Sequence, residues 1–505
     1  MTCLLLLPVL ATAPAAGDTL VLDLNRAVAL ALDESHTAVV LDLDLAAAGH
    51  DVAAAKGRFR TQADAQFALP ELEEGVQRVQ VPGDLPRYDS YGSREMSATL
   101  RLSQPLPTDG AVALSGHLYQ QEDTYYDPVS DATAEQKTFF NSYEVSLQQP
   151  LFSPNELKLG LEKAEIGHRL AQRAYQRGEL DLAYDVTAAF YALVRAQEEL
   201  AIARDALDRQ QENFDLAQRK YRAGLIPEVE ALQMEVDLAG ANNDVLGRES
   251  DLILAADGFR LLVGLPLDRP VRATANLAPL VYEVDADLAM SHALAHRTEL
   301  EDLADQLRRA QITVTETDAR SSVRGELSAF YNLTGISDPA LVDPSVGDQI
   351  ESSWDDLRRR PGNRGVRFSL SVPLWDSGVN AQEVASARVA VRRRELDQEN
   401  LRRSIARQVQ AALARFDGAR RRLDVLQRSL DIALRSYAIS RERFETGDIT
   451  SQTLADNRDR LVSARQSYLD AYVSFRLAGA DLRRQTLYDF ESGASLVPAA
   501  TPGAP

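Results

Sequence analysis

The chain has 505 residues, 26% of them charged, and a formal net charge of −20 from 55 basic and 75 acidic side chains. That balance excludes a nucleic-acid binder, because phosphates call for a basic footprint. A single cysteine, Cys3, excludes a fold stapled by internal disulfides.

The opening LLLLPVLATAPAAG joins an apolar core to small residues, with Ala13 and Ala15 at the spacing a signal peptidase accepts. Residues 1–16 are therefore read as an export signal, although no Lys or Arg precedes Leu4 to make a charged n-region. Export without disulfides points to a bacterial envelope protein. A lipid-anchor cysteine needs an apolar stretch before it, which Met1 and Thr2 do not supply to Cys3. No later window holds 18 uninterrupted apolar residues; the best, LILAADGFRLLVGLPL, is broken by Asp257 and Arg260. Any membrane crossing is then expected from short alternating strands closed into a barrel.

The next elements are an amphipathic helix leading into TQADAQFAL (Thr61 to Leu69), then SATLRLSQPL and AVALSGHLYQ joined by the turn PTDG at Pro107 to Gly110, then SYEVSLQQPL (Ser142 to Leu151). Each alternates as a half-buried strand does. From Ser153 to Tyr221 nothing stops a helical pattern decisively, giving a rod of roughly 100 Å. SPNE marks its start, with Ser153 as N-cap, Pro154 in the first turn and Glu156 closing a capping box. KYRAGLIPEVEAL then interrupts the helix at Gly224.

The whole arrangement recurs. RFETGDITSQTLA repeats the interruption at Gly447, 223 residues after Gly224, and the same shift carries Pro150, Leu151 and Phe152 onto Pro373, Leu374 and Trp375. It also carries the heptad Leu193, Leu200, Leu207, Phe214 and Tyr221 onto Phe416, Leu423, Leu430, Tyr437 and Phe444. Between them sit Ala196, Ala203 and Ala217, with Ala419, Leu426 and Ala433 in the second copy, so the other half of the seam is mostly small and the helices want partners along their length. The second copy has strands at GELSAFYNL (Gly325 to Leu333) and GVRFSLSVPL (Gly365 to Leu374) around a polar loop, and it lacks the extra hairpin. The divisions are 17–266 for the first repeat, 267–487 for the second and 488–505 for a disordered tail.

Taken in order, PLF and PLW before a long helix, the aromatic-x-x-Gly breaks and the tandem halves resemble the TolC-like outer-membrane efflux proteins. The resemblance implies a mainly α fold with a β-barrel portion. Long antiparallel coiled-coil helices in two tandem repeats would form a trimeric periplasmic tunnel, and about four strands per chain would enter a shared 12-stranded outer-membrane barrel. If the hairpin from Ser97 to Gln120 joins, the barrel has eighteen. It further implies a passive export channel of a tripartite efflux or type I secretion system, with a periplasmic adaptor, an inner-membrane transporter and outer-membrane lipid as partners. The alternative is a periplasmic coiled-coil structural or adaptor protein without a barrel.

By the same likeness Gly224, Leu225, Gly447 and Asp448 lie at the adaptor-docking tips, and Glu230, Thr453 and Asp456 at the tunnel entrance. Three copies of Asp456 would make a carboxylate ring. Some members tie an acid six residues after the first glycine to a base two after the second; here those positions hold Glu230 and Ile449, so that link cannot form. The chain shows no nucleophile, phosphate-loop or dinucleotide motif and no cofactor signature, so no enzyme is expected. His292 and His296 stand four apart on a helix without a third metal ligand and read as surface histidines.

Overall fold

The computed structural model describes residues 19–80, 85–127, 132–278, 282–338 and 345–497. The export signal and Cys3 lie outside them. The first repeat opens with β1 (Leu20–Leu22), α1 (Leu24–Glu34) and α2 (His36–Gly57). Asp23 caps α1 by accepting from the Arg26 N–H at 2.8 Å, and the Ser35 hydroxyl starts α2 by accepting from the Ala38 N–H at 3.1 Å. Next come β2 (Gln62–Val79), β3 (Arg87–Pro105), β4 (Ala111–Asp127), β5 (Ala132–Leu151), α3 (Glu156–Arg222) and α4 (Glu228–Val263). The second repeat runs β6 (Val271–Ala273), α5 (Ala286–His296), α6 (Glu299–Ala319), β7 (Arg324–Ile336), α7 (Val346–Arg359), β8 (Asn363–Ser371), α8 (Val379–Thr446) and α9 (Ser451–Thr486). A hairpin, β9 (Tyr488–Asp489) and β10 (Ala494–Ser495), follows.

Two compact units form, and they are not the two repeats: one takes the described parts of 1–46, 170–304 and 396–505, the other 47–169 and 305–395. Each unit draws on both repeats.

The second unit holds one antiparallel sheet of six strands in the order β2-β3-β4-β5-β7-β8. The expected count of about four strands per chain is therefore corrected to six. The extra hairpin joins because β3 and β4 pair with each other and with their neighbours over nearly their whole length. The strands of the first repeat are also longer than the alternating patterns suggested, since polar residues dominate their outer ends. Successive cross-strand rows differ sharply: Ala63, Leu102, Leu114, Val145 and Tyr331 line one face, and the next row, Asp64, Arg101, Ser115, Glu144 and Asn332, lines the other. An exposed apolar face backed by a polar one is what a strand between lipid and a watery lumen requires. The start of α3 is corrected too. Asn155, not Ser153, is the N-cap, its side chain accepting from the Lys158 N–H at 2.8 Å, while Asp109 reaches the Glu156 and Leu157 N–H groups at 3.1 and 3.2 Å.

In the first unit α3, α4, α8 and α9 bury Leu193, Phe190, Phe259, Phe416, Leu423 and Phe475 in one core, with Phe416 and Phe475 ring centroids 5.3 Å apart. β1 pairs in parallel with β6, so the repeats share a two-stranded sheet. The heptad seam behaves unequally. Phe416, Leu423, Tyr437 and Phe444 are buried, whereas the first copy's Tyr221 is 40% exposed and Gln210, Asn213 and Ala217 take the inner positions. Part of the expected tail is folded: β9 and β10 pair, and His292 donates from Nδ1 to Thr486 O at 2.8 Å while its Nε2 hydrogen-bonds the Ser495 hydroxyl at 3.1 Å. Residues 498–505 lie outside the described residues.

Gly264 ends α4 at φ +89°, and a Cβ there would lie 2.6 Å from the Glu34 carbonyl oxygen. Backbone strain and a backbone clash act together, so Gly264→Val is expected to destabilise the protein by about 3 kcal/mol or more. A thermal melt followed by circular dichroism checks this; an unchanged midpoint would contradict it.

Candidate functional site at the helix-to-helix turns

Two turns of the same construction close the helix pairs. Gly224 N–H donates to Tyr221 O at 2.8 Å and Leu225 N–H to Lys220 O at 2.9 Å; Gly447 N–H donates to Phe444 O at 3.1 Å and Asp448 N–H to Arg443 O at 2.9 Å. These are paired Schellman closures, with glycine at φ +76° and +89° supplying the left-handed residue. Nothing lies within 4 Å of a Cβ built on either glycine, so glycine is required for its φ alone. Leu225 is 73% exposed, and Asp448 is exposed with its carboxylate accepting from Thr446 Oγ1 at 3.2 Å.

The helices restart differently. α4 begins behind Pro227 without a side-chain cap, with Glu228 and Glu230 in its first turn where the helix dipole favours acids. α9 begins behind Thr450, whose hydroxyl accepts from the Thr453 N–H at 3.3 Å. Glu230 accepts a hydrogen bond from the buried Ser451 hydroxyl at 3.1 Å. Ile449 instead packs beside Tyr437, Phe444, Leu454 and Leu461. Thr453 and Asp456 lie together on the exposed face of α9, apart from the Glu230–Ser451 contact, and Asp456 accepts from Gln452 Nε2 at 2.8 Å.

The strongest ties near these turns were not anticipated from the sequence. Arg458 donates to the buried Gln210, whose amide donates to Met234 O at 3.2 Å, linking α9 to α3 and α4. One heptad further along α9, Arg465 donates to Asp205, which also accepts from Arg209 Nε at 3.0 Å. Burial pulls the Asp205 pKa up, but the hydrogen bonds from Arg465 and Arg209 outweigh it and the net displacement is downward. Lys220 sits 4.3 Å from the Phe444 ring centroid and donates to the Phe444 carbonyl, joining the two turns. The only sequence signal for these ties was the seven-residue spacing of Arg458 and Arg465.

Long helices in paired hairpins, with a six-stranded sheet that is apolar on one face, define an outer-membrane channel subunit. The chain belongs to the outer membrane efflux protein family, whose model matches residues 112–265 and 289–486. It is 26% identical to Protein CyaE of Bordetella pertussis over 266 residues, 52% of this chain and 53% of that protein, so the match spans about half the length of the curated relative. Among solved structures it is similar to the CmeC outer membrane channel of Campylobacter jejuni, with TM-score 0.66 at 13% identity over 94% of this chain and 87% of that one. Similar, too, are the outer membrane protein VceC of Vibrio cholerae, with TM-score 0.64 at 13% identity over 94% and 96%, and the outer-membrane channel OprN, with TM-score 0.65 at 16% identity over 93% and 90%. At such identities the likeness is one of fold.

Proposed function

We propose that the chain is one subunit of a passive trimeric duct that carries cargo out of the cell, receiving it from a periplasmic adaptor and an inner-membrane transporter of a tripartite efflux or type I secretion system. Six strands fall short of the eight in the smallest membrane barrels, so closure calls for further copies, and three copies supply eighteen strands. The trimer is expected by light scattering in mild detergent; a monomer would contradict it. The alternative of a coiled-coil adaptor without a barrel is disfavoured by the apolar sheet face.

The observation that carries docking is the exposed Leu225 on a turn rigidified by backbone hydrogen bonds, beside Gly224, Gly447 and Asp448. A large apolar side chain held out in water on a rigid turn is suited to a partner. Glu230, Thr453 and Asp456 would then line the entrance beside these tips. Leu225→Glu combined with Asp448→Lys is expected to leave the trimer folded, because the closures use only main-chain groups, and to abolish export. Normal export in that double variant would place docking elsewhere, and loss of the trimer would make the residues structural.

A further inference from the structure

The connection between β7 and β8 is polar in sequence, yet it contains α7, an amphipathic helix closed at its start by a capping box of Ser345 and Asp348. One flank of α7 is seated on the sheet. Gln349 and Ser353 are buried, Asn141 Nδ2 donates to Ser353 Oγ at 3.3 Å, and Gln120 Nε2 donates to Gln349 Oε1 at 3.3 Å. Asp356 accepts from the Ile336 N–H at 2.9 Å. Gly335 lies beneath the helix, where a Cβ would come 2.1 Å from the Ser353 carbonyl oxygen. By register Leu118, Asn141 and Gly335 form one row, so α7 lies on the apolar face of the sheet rather than the polar one.

Its height on that face is also fixed. Two rows beyond the Asn141 row the same face carries Glu122 and Lys137, which form an ion pair at 3.3 Å, so on β4 and β5, beneath the helix, the apolar band stops where α7 sits. From Gly325 to Gly335 the band rises about 25 Å for strands tilted by about 40°, the height of an outer-membrane hydrocarbon belt. The helix flank next to the seated one carries Val346, Ile350 and Trp354, all exposed. Trp354 packs on Tyr143 with ring centroids 5.6 Å apart, and Tyr143 lies on the band side of Asn141, so this flank faces into the band. The chain has two tryptophans. The other, Trp375, is 88% exposed just past the opposite end of β8.

We infer that α7 is an interfacial anchor, lying along the outer headgroup boundary of the bilayer with Val346, Ile350 and Trp354 dipped into lipid and its acidic and arginine-rich flank in water. An amphipathic helix with a boundary tryptophan suits that position. The anchor pins the outer rim of the barrel to the membrane surface, while Trp375 marks the periplasmic boundary. The inference rests on the sheet crossing the outer membrane, and the test separates the two.

The trimer is reconstituted in phosphatidylcholine vesicles carrying bromine either at acyl positions 6 and 7 or at positions 11 and 12, and tryptophan fluorescence is excited selectively. In Trp375→Phe the signal comes from Trp354, and in Trp354→Phe from Trp375. Both are expected to lose about half or more of their emission to the shallow bromines and less to the deep ones. Adding Gly335→Ala to Trp375→Phe should unseat α7 and abolish quenching of Trp354 with the trimer intact. The inference is overturned if Trp354 ignores both brominated lipids while Trp375 responds. Access of iodide to Trp354 would then put α7 in water, and protection from iodide would put it against a second copy of the chain. Unchanged quenching in the Gly335→Ala variant would overturn the seating argument. If Trp375 also fails to respond, the membrane placement of the sheet falls instead.

Discussion

Trimers in which Arg458 and Arg465 are both alanine are expected to conduct severalfold more than the native channel while keeping their assembly. These arginines are one heptad apart on α9 and reach Gln210 and Asp205 on α3. The choice of the basic partners matters: Asp205 keeps its bond from Arg209 at 3.0 Å, so no carboxylate is orphaned. Because Asp205 is 40% exposed, its pair is discounted for solvent, and the two ties together are assigned about 2 kcal/mol. That free energy corresponds to a roughly 30-fold change in the population of an opened entrance. Acid should act on the same tie. The Asp205 pKa is lowered from 3.8 in the folded chain, so its contribution is complete above that value and is lost as pH falls through the folded one. Native conductance should stay flat down to about pH 5 and rise only below about 4, and the double variant should lose that rise. Planar-bilayer recordings measure both. Equal conductance in native and variant trimers would remove these ties from any gating role.

How far the sequence disclosed the molecule follows from which forces were local. Gly224 and Gly447 were legible because a left-handed closure inside a long heptad pattern demands glycine whatever packs around it. The sheet was legible in its alternation but not in its extent. Beyond Met96 and Gln120 polar residues enter the otherwise apolar face as well, as in the row Arg94, Glu122 and Lys137, so the period of two fades. α7 was missed because its inner flank is Gln349 and Ser353, polar residues buried against Gln120 and Asn141, and burial of that kind leaves no apolar stripe. The partners of Asp205 and Gln210 were hidden for a different reason: Arg465 and Arg458 lie 260 and 248 residues away in sequence. Near the first turn the small half of the seam held, with Ala217 buried, but the large half did not: α3 turns Gln210 and Asn213 inward and leaves Tyr221 40% exposed.

With Asp456 at the entrance as proposed, the channel is expected to prefer cations, and neutralising that residue is expected to remove the preference. Asp456 is exposed on α9, six residues after its N-cap Thr450, and its one described side-chain partner is Gln452 on the same helix. In the proposed trimer a side chain so placed would face the lumen. If three copies stand about 6 to 8 Å apart around the axis, each pair repels by roughly 2 kcal/mol at an effective dielectric of 20, before screening by salt. Such a ring concentrates cations and binds multivalent ones. Asp456→Asn keeps the side-chain shape and a hydrogen-bonding group facing Gln452, so the trimer should assemble normally while reversal potentials in a salt gradient move toward zero and block by multivalent cations disappears. Glu230→Gln provides the contrast. Its partner is the Ser451 hydroxyl, from which an amide oxygen can also accept, and Ile449 is occupied in an apolar cluster. No ion link is released by that change, so conductance should alter by less than about twofold. Unchanged selectivity in Asp456→Asn would return this acid to an ordinary solvated helix face, and a large conductance rise in Glu230→Gln would mean that a basic group from another subunit meets it in the assembled channel.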